Sequence, residues 1–189
     1  MDCMKNFVKK IVNVFRNSSD NKTSQLNTIA YFRSSGVKIG ENVSIISPIS
    51  PVIFSSEPYL VSIGDDTTIS FDVTFVTHDA ATRVIRHLPD GNKETVIYGT
   101  IEVGKNCFIG AKSTILPNVK IGDNTVIGSC SLVNRDIPSN VIAAGNPCKV
   151  ICTLDEYRNK HEKDFLYMVS LPYEQKKQYL MDHFDLNNE

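Results

Sequence analysis

Four histidines are the chain's candidates for moving protons at neutral pH, because an imidazole titrates at roughly 6.5. His78 lies in the run FVTHD, with Asp79 directly after it. A neighbouring carboxylate can orient an imidazole for general-base work. It can equally cap a turn, and His78 itself reads either as a base or as a surface-loop histidine. Glu57 and Glu94 are weaker candidates for orienting it. His87 follows within the same polar stretch, together with Arg83 and Arg86. Arg83, Arg86 and Glu57 are candidates for contacting a substrate, although a basic solvated loop would look the same. His161 and His183 stand in a charged tail.

No metal site is expected. His87 is the one other histidine close to His78 in sequence, and three imidazoles or a paired set of cysteines are needed for zinc. The five cysteines, Cys3, Cys107, Cys130, Cys148 and Cys152, are odd in number and contain no CxxC pair. They read as small buried thiols in a reducing compartment, so the chain is expected in the cytoplasm.

The elements that must position His78 follow from a repeat. Every sixth residue from Val103 is branched and aliphatic: Val103, Ile109, Ile115, Ile121, Ile127, Val133. Gly follows four of them, at Gly104, Gly110, Gly122 and Gly128. Two residues before each stands Ile101, Cys107, Ser113, Val119, Thr125 or Ser131. An upstream register contains Ile39, Ile45, Ile63, Ile69 and Phe75, with Pro51 and Glu57 occupying intervening hexad positions. Six is neither a helical period nor plain alternation. Two inward side chains on a short strand, then a turn, account for each hexad, with Gly or Asn taking awkward corner angles. Such coils stack as a solenoid. The phase breaks between Phe75 and Ile97, which are 22 residues apart. The fold class is therefore mainly β, a parallel β-helix with helices at both ends. The N-terminal helical segment spans 1–36, the repeat domain 37–152 with an inserted loop at 77–100, and the C-terminal helical segment 153–189.

Within the flanks, Ser24 to Arg33 is expected to be helical. Phe7, Val8, Ile11 and Val12, interrupted by Lys5, Lys9 and Lys10, read as an amphipathic helix too short and charged to span a bilayer. Thr153 and Glu156 have the spacing of a capping box. Pro172 opens a helix from Tyr173 to Phe184, whose Tyr179, Leu180 and Phe184 are expected to cap the prism's open end. Pro89-Asp90-Gly91-Asn92 marks a turn inside the insertion. A formal charge of −1 gives no sign of a nucleic-acid partner.

Residues 37–151 resemble the hexapeptide-repeat acyltransferases, and in particular the galactoside and maltose O-acetyltransferase branch. The stretches that carry the likeness are FVTHD and VGKNCFIGAKSTILPNVKIGDNTVIGSCSLVNRDIPSNVIAAGNPCKVI. The looser run THDAATRVIRHL and the tail SLPYEQKKQYLMDHF resemble enzymes that decorate bacterial exopolysaccharides. The resemblance implies a left-handed β-helix with three hexads per coil. It also implies a homotrimer with active sites between neighbouring prisms, acetyl-CoA as co-substrate and a saccharide as acceptor. His78 matches the family's catalytic base, although this chain has Thr77 and Asp79 where the branch has a small residue and Pro. Ala111 is implied as the backbone donor to the oxyanion, Ser129 as a contact to the pantetheine arm, and Asn134, Arg135 and Lys149 as further CoA contacts. Cys152 falls where some members place an Arg.

The leading expectation is thus an acetyl-CoA-dependent O-acetyltransferase acting on a saccharide hydroxyl. An N-acetyltransferase of an amino sugar or nucleotide-linked sugar would use the same base and donor. A non-catalytic β-helix scaffold is the alternative of another class.

Overall fold

The computed structural model describes residues 18–46 and 52–186. The expected amphipathic helix near the N-terminus and the hexad position at Pro51 lie outside them. Two compact units are present: Thr23–Asn159, and a second that includes the described residues 18–22 and 160–186.

The first unit is a three-faced prism. Helix α1 (Ser18–Ser34) leads into β1 (Lys38–Ile39) and β2 (Ser44–Ile45), then β3 (Val61–Ile63), β4 (Thr68–Ile69) and β5 (Thr74–Phe75). The insertion carries β6 (His78–Asp79), the single helical turn α2 (Thr82–Ile85) and β7 (Ile97–Tyr98). After it come β8 (Ile101–Val103), β9 (Phe108–Ile109), β10 (Thr114–Ile115), β11 (Val119–Ile121), β12 (Val126–Ile127) and β13 (Leu132–Val133). Strands β14 (Val141–Ala144) and β15 (Lys149–Thr153) complete the prism. The first face stacks β1-β3-β8-β11, the second β2-β4-β9-β12-β14-β15, and the third β5-β10-β13. Every pairing within these faces is parallel except β14 with β15, which is antiparallel. The architecture is the left-handed parallel β-helix of hexapeptide repeats.

The regular coil takes 18 residues, as in Lys105 N–H to Asp123 Oδ1 and Asn106 to Asn124. The first coil takes 24. Ile45 therefore stacks on Ile69, and Ile39 on Ile63, so Ile45 and Ile63 lie on different faces. The coil holding the insertion takes 40 and the last takes 16.

The interior is filled as the spacing requires. Ile63-Val103-Ile121, Ile69-Ile109-Ile127 and Phe75-Ile115-Val133 form aligned buried columns. Each fully buried side chain of this kind contributes about 1.5–3 kcal/mol. The small inward residues are hydrogen-bonded: Thr67 Oγ1 donates to Gly104 O at 2.9 Å, Thr125 Oγ1 to Pro138 O at 3.0 Å, and Ser113 Oγ to Gly128 O at 3.1 Å.

At the corners, the glycines and asparagines have different jobs. The left-handed angle falls on Asn42, Asp66, Asn106, Asn124 and Asn140, with φ between 51° and 62°. Gly110 is there for close packing: a Cβ would stand 2.5 Å from Ser129 N. Asn106 Nδ2 donates to Asn124 Oδ1 at 2.8 Å, and Asn124 Nδ2 to Asn140 Oδ1 at 2.9 Å, forming a ladder down one corner.

Helix α1 closes the N-terminal end, beginning earlier than Ser24. Phe32 meets Phe54 edge-on at 4.8 Å, and Phe54 stacks on Phe75 at 5.0 Å. Gln25 Oε1 accepts from Ile45 N–H at 3.1 Å while Gln25 Nε2 donates to Ile45 O at 3.2 Å, replacing a missing strand. Arg33 Nη2 donates to Gly40 O at 2.7 Å. Tyr179 and Phe184 were expected to close the other end; they remain 45% and 59% exposed. The capping box holds, with Glu156 N–H donating to Thr153 Oγ1 at 3.1 Å and Thr153 N–H to Glu156 Oε2 at 2.7 Å, opening α3 (Leu154–His161). Helix α4 (Tyr173–His183) follows Pro172. No described helix is long and apolar enough to cross a membrane.

Replacing Asn124 by Ala removes two ladder bonds and strains a left-handed backbone, which should cost about 1–2 kcal/mol. Asn124→Gly keeps the angle and should cost less. Urea unfolding of both variants checks the order; equal losses would show that the backbone angle is not what Asn124 supplies.

Candidate active site

The third face ends where regularity ends. Thr77 is fully buried at the corner after β5, and its carbonyl accepts from Gly99 N–H at 2.9 Å. The chain then leaves the prism along β6, makes the turn α2, and returns along β7. Strands β6 and β7 pair antiparallel, with His78 opposite Tyr98. The two rings meet edge-on at 6.1 Å. The turn expected at Pro89–Asn92 is present, with Gly91 N–H donating to Leu88 O at 2.9 Å.

His78 Nδ1 stands 3.0 Å from Glu57 Oε2. Thr77 Oγ1 donates to the same oxygen at 2.6 Å. Burial pushes the Glu57 carboxyl upward, but hydrogen bonds from Thr77, His78 and Ser56, with the charge of His78, outweigh it and hold it below the ordinary 4.5. An ionised carboxylate can only accept, so Nδ1 carries a proton, and in the neutral ring Nε2 presents a lone pair. The His78 side chain is 34% exposed while that of Glu57 is 14% exposed, so the imidazole faces solvent and its partner does not.

The carboxylate that meets the imidazole is therefore Glu57, correcting the expectation for Asp79. Asp79 Oδ1 accepts from Ala81 N–H at 2.8 Å, the turn-capping alternative. The reason is geometric: adjacent strand residues point to opposite sides, so Asp79 is turned away from the ring that His78 presents. Glu57 sits at the hexad position where an aliphatic residue was due, and that irregularity was the signal available in the sequence. Tyr98 stands out in neither composition nor spacing, and Thr77 departs from the family pattern without revealing its bond to Glu57.

A cleft of about 380 Å³ opens in front of this pair. Arg83, Arg86 and His87 line it together with His78, Glu57 and Tyr98. Arg86 Nε donates to Thr95 O at 2.6 Å, and His87 Nδ1 lies 2.6 Å from Arg83 O. Glu94 N–H donates to Asn92 Oδ1 at 2.9 Å, a main-chain bond of the turn, and the carboxylate beside His78 is that of Glu57.

The remaining expected site residues lie elsewhere on the prism. Ala111 and Ser129 belong to the corner between the second and third faces, where Cys130 N–H donates to Ala111 O at 2.8 Å. The Ala111 N–H has no hydrogen-bond acceptor among the described residues. At the first corner the equivalent N–H groups of Glu41, Lys105 and Asp123 donate to Asp65, Asp123 and Ser139 side chains. Asn134 and Arg135 are exposed at the His78 corner, two coils further along, as the Phe75-Ile115-Val133 column fixes. Lys149 is exposed at the start of β15.

Cys107 and Cys148 are buried as expected, and burial pushes both thiols up. Cys130 is exposed, against expectation, because it occupies a left-handed corner position with φ 60°. Among the described residues, no group of three His, Cys, Asp or Glu is placed to hold a metal ion.

Residues 100–135 match the family model "Bacterial transferase hexapeptide (six repeats)". Protein CapG of Staphylococcus aureus is 37% identical over 172 residues, covering 91% of this chain and 92% of that protein. The galactoside O-acetyltransferase of Escherichia coli is 41% identical over 105 residues, 56% of this chain and 49% of the relative. Among solved structures, a hexapeptide-repeat-containing acetyltransferase from Vibrio cholerae matches with TM-score 0.50 and 18% identity, covering 69% of this chain and 81% of that one. A mutant of AntD, an N-acyltransferase from Bacillus cereus, in complex with dTDP and coenzyme A, matches with TM-score 0.50 and 21% identity over 69% and 82%. The last two are likenesses of fold.

Because the Glu57 carboxyl is held below its unfolded value, its ionised form stabilises the fold above about pH 4.5, and that contribution is lost as pH falls through the folded value. Wild type should thus exceed Glu57→Gln in stability at pH 7, with the gap closing in acid as pH falls below the ordinary 4.5. Thermal unfolding at pH 7 and in acid checks this; a gap that widens on acidification would contradict it.

Proposed function

Since the chain belongs to the hexapeptide-repeat acyltransferase family, we propose that it transfers an acetyl group from acetyl-CoA to a saccharide hydroxyl, with His78 as general base. The observation that carries this reading is the Glu57–His78 pair, with Nδ1 held at 3.0 Å and the ring facing the cleft. In this scheme Nε2 takes the proton of the attacking hydroxyl, and Glu57 stabilises the imidazolium that results. The Ala111 N–H is the proposed donor to the developing oxyanion. His78 then returns its proton to the departing CoA thiolate. A hydroxyl acceptor needs such a base, because a neutral alcohol is a poor nucleophile until its proton is taken. The same pair argues against a non-catalytic scaffold.

Ala111 and His78 lie at opposite edges of the third face. Lys112 N–H donates to Phe71 O, and the chain needs seven further residues to reach His78. At about 3.3 Å per strand residue, less the turn, that is roughly 15–20 Å. One acetyl group cannot touch both in a single chain. We therefore propose a homotrimer in which the His78 corner of one prism faces the Ala111 corner of its neighbour. The outward residues of the first face support this choice of packing. Lys38, Ser62, Glu102 and Lys120 form a polar row, with Lys120 paired to Glu102 at 3.1 Å, suited to solvent. Ser129, Asn134, Arg135 and Lys149 are proposed to hold CoA along the outside of the third face, the two cations at its phosphates. The proposed compartment is the cytoplasm.

His78→Ala should lower turnover by about two to four orders of magnitude. Calorimetry should find acetyl-CoA binding intact in that variant and weakened in Lys149→Ala; near-full turnover without His78 would remove it from the role of base.

The shared site has its own test. Lys112, with φ 59°, follows Ala111 as in a type II turn, whose preceding position accepts Pro. Ala111→Pro deletes the proposed N–H donor. His78→Ala and Ala111→Pro proteins, each inactive, should regain activity when unfolded together and refolded as mixed trimers. No recovery from verified mixed trimers would place both residues in one chain's site.

A further inference from the structure

The cleft that His78 lines carries more positive charge than the proposed chemistry uses. Arg83 lies on the turn α2 and Arg86 caps its end three residues on, and both line the cleft. Arg86 is only partly exposed. Its Nε is fixed on Thr95 O at 2.6 Å, which sets the plane of the guanidinium. Its Nη groups have no hydrogen-bond acceptor among the described residues. No carboxylate among them lies within ion-pair distance of Arg83 or Arg86. The two acidic side chains of the cleft are engaged elsewhere: Glu57 on Thr77 and His78, Asp79 on Ala81 N–H. A partly desolvated, pre-oriented fork without a counter-ion is suited to a carboxylate or phosphate, which it can meet through two parallel bonds. CoA is a poor candidate for that anion. Its long pantetheine arm separates the phosphates from the thioester, and the thioester must lie at His78.

We propose that the acceptor is an anionic saccharide, whose carboxylate or phosphate binds Arg86 and Arg83 while its hydroxyl lies at His78 Nε2. The proposal rests on the acetyltransferase reading and narrows it. The insertion then selects the acceptor by charge as well as by shape, and the chain departs in this from relatives named for neutral sugars, such as the galactoside O-acetyltransferase of Escherichia coli.

Three matched acceptors separate the possibilities: methyl galactoside, methyl galacturonide and galactose 1-phosphate. At least one anionic sugar should exceed the neutral one in kcat/KM by about ten-fold or more, the range of a charged hydrogen bond. The uronide and the phosphate arms show which anion is recognised. Arg83→Gln should lower the anionic-to-neutral ratio by about ten-fold, mainly through KM. Arg83 makes no side-chain hydrogen bond among the described residues, so this variant leaves the Arg86–Thr95 link in place. Lys93→Gln, a cation of the same insertion outside the cleft, should leave the ratio unchanged. Added salt, from about 50 to 500 mM, should erode the anionic advantage. A neutral sugar that matches both anions, an Arg83→Gln loss shared equally by all three, or a loss confined to acetyl-CoA affinity would each overturn the proposal. If none of the three is acetylated, calorimetric binding of the same sugars decides. Arg83-dependent preference for an anion sustains the proposal while the transfer reading falls, and indifference to charge overturns it.

Discussion

An interior wide enough for two side chains per strand, and no more, governs this molecule. Each coil can satisfy its backbone only through the coils above and below it, and a slip of one residue would turn every inward isoleucine outward. The register of 18 residues is therefore rigidly kept from Ile101 to Val133. Nothing the size of a substrate fits inside such a prism. Chemistry is forced to the corners and to whatever the chain adds between faces. The ends carry the same constraint in another form, since an open coil exposes unpaired N–H and C=O groups. Gln25 and Arg33 of α1 meet those groups at the first coil, and Phe32 fills the opening beneath Phe54.

The Glu57–His78 pair arises where the rule is relaxed. Glu57 comes from the first coil, which runs to 24 residues, and His78 stands at the mouth of the insertion, in the coil that runs to 40. They are 21 residues apart, about one coil, so stacking brings them together. Thr77 ties them to the prism: it is wholly buried and its hydroxyl holds the same carboxylate oxygen that His78 meets. A corner residue fixed by packing thus sets the aim of the imidazole beside it.

Much of the fold was legible because a narrow core leaves few choices. The hexad spacing identified the inward columns, the break after Phe75 located the insertion, and Thr153 with Glu156 marked a helix start that the structure contains. Handedness was not legible, because a period of six is the same in either hand, and resemblance had to supply it. The site was legible in part. His78 stood out by its place at the break. Its partner did not, because Asp79 is adjacent in sequence and Glu57 becomes adjacent only once coils stack. Gln25 imitating a strand edge was likewise invisible, since nothing in a helical segment advertises which sheet edge its amides will meet.

The insertion leaves and rejoins the prism at nearly the same point. Thr77 O and Gly99 N–H are bonded at 2.9 Å, and β6 and β7 zip the two strands of its stem together. Whatever lies between Asp79 and Ile97 is consequently invisible to the register of the coils beyond it. Such a stem allows descendants of one ancestral gene to trade this segment as a cassette, altering its length or charge without disturbing the coils on either side. Divergence among relatives should therefore concentrate between those two residues.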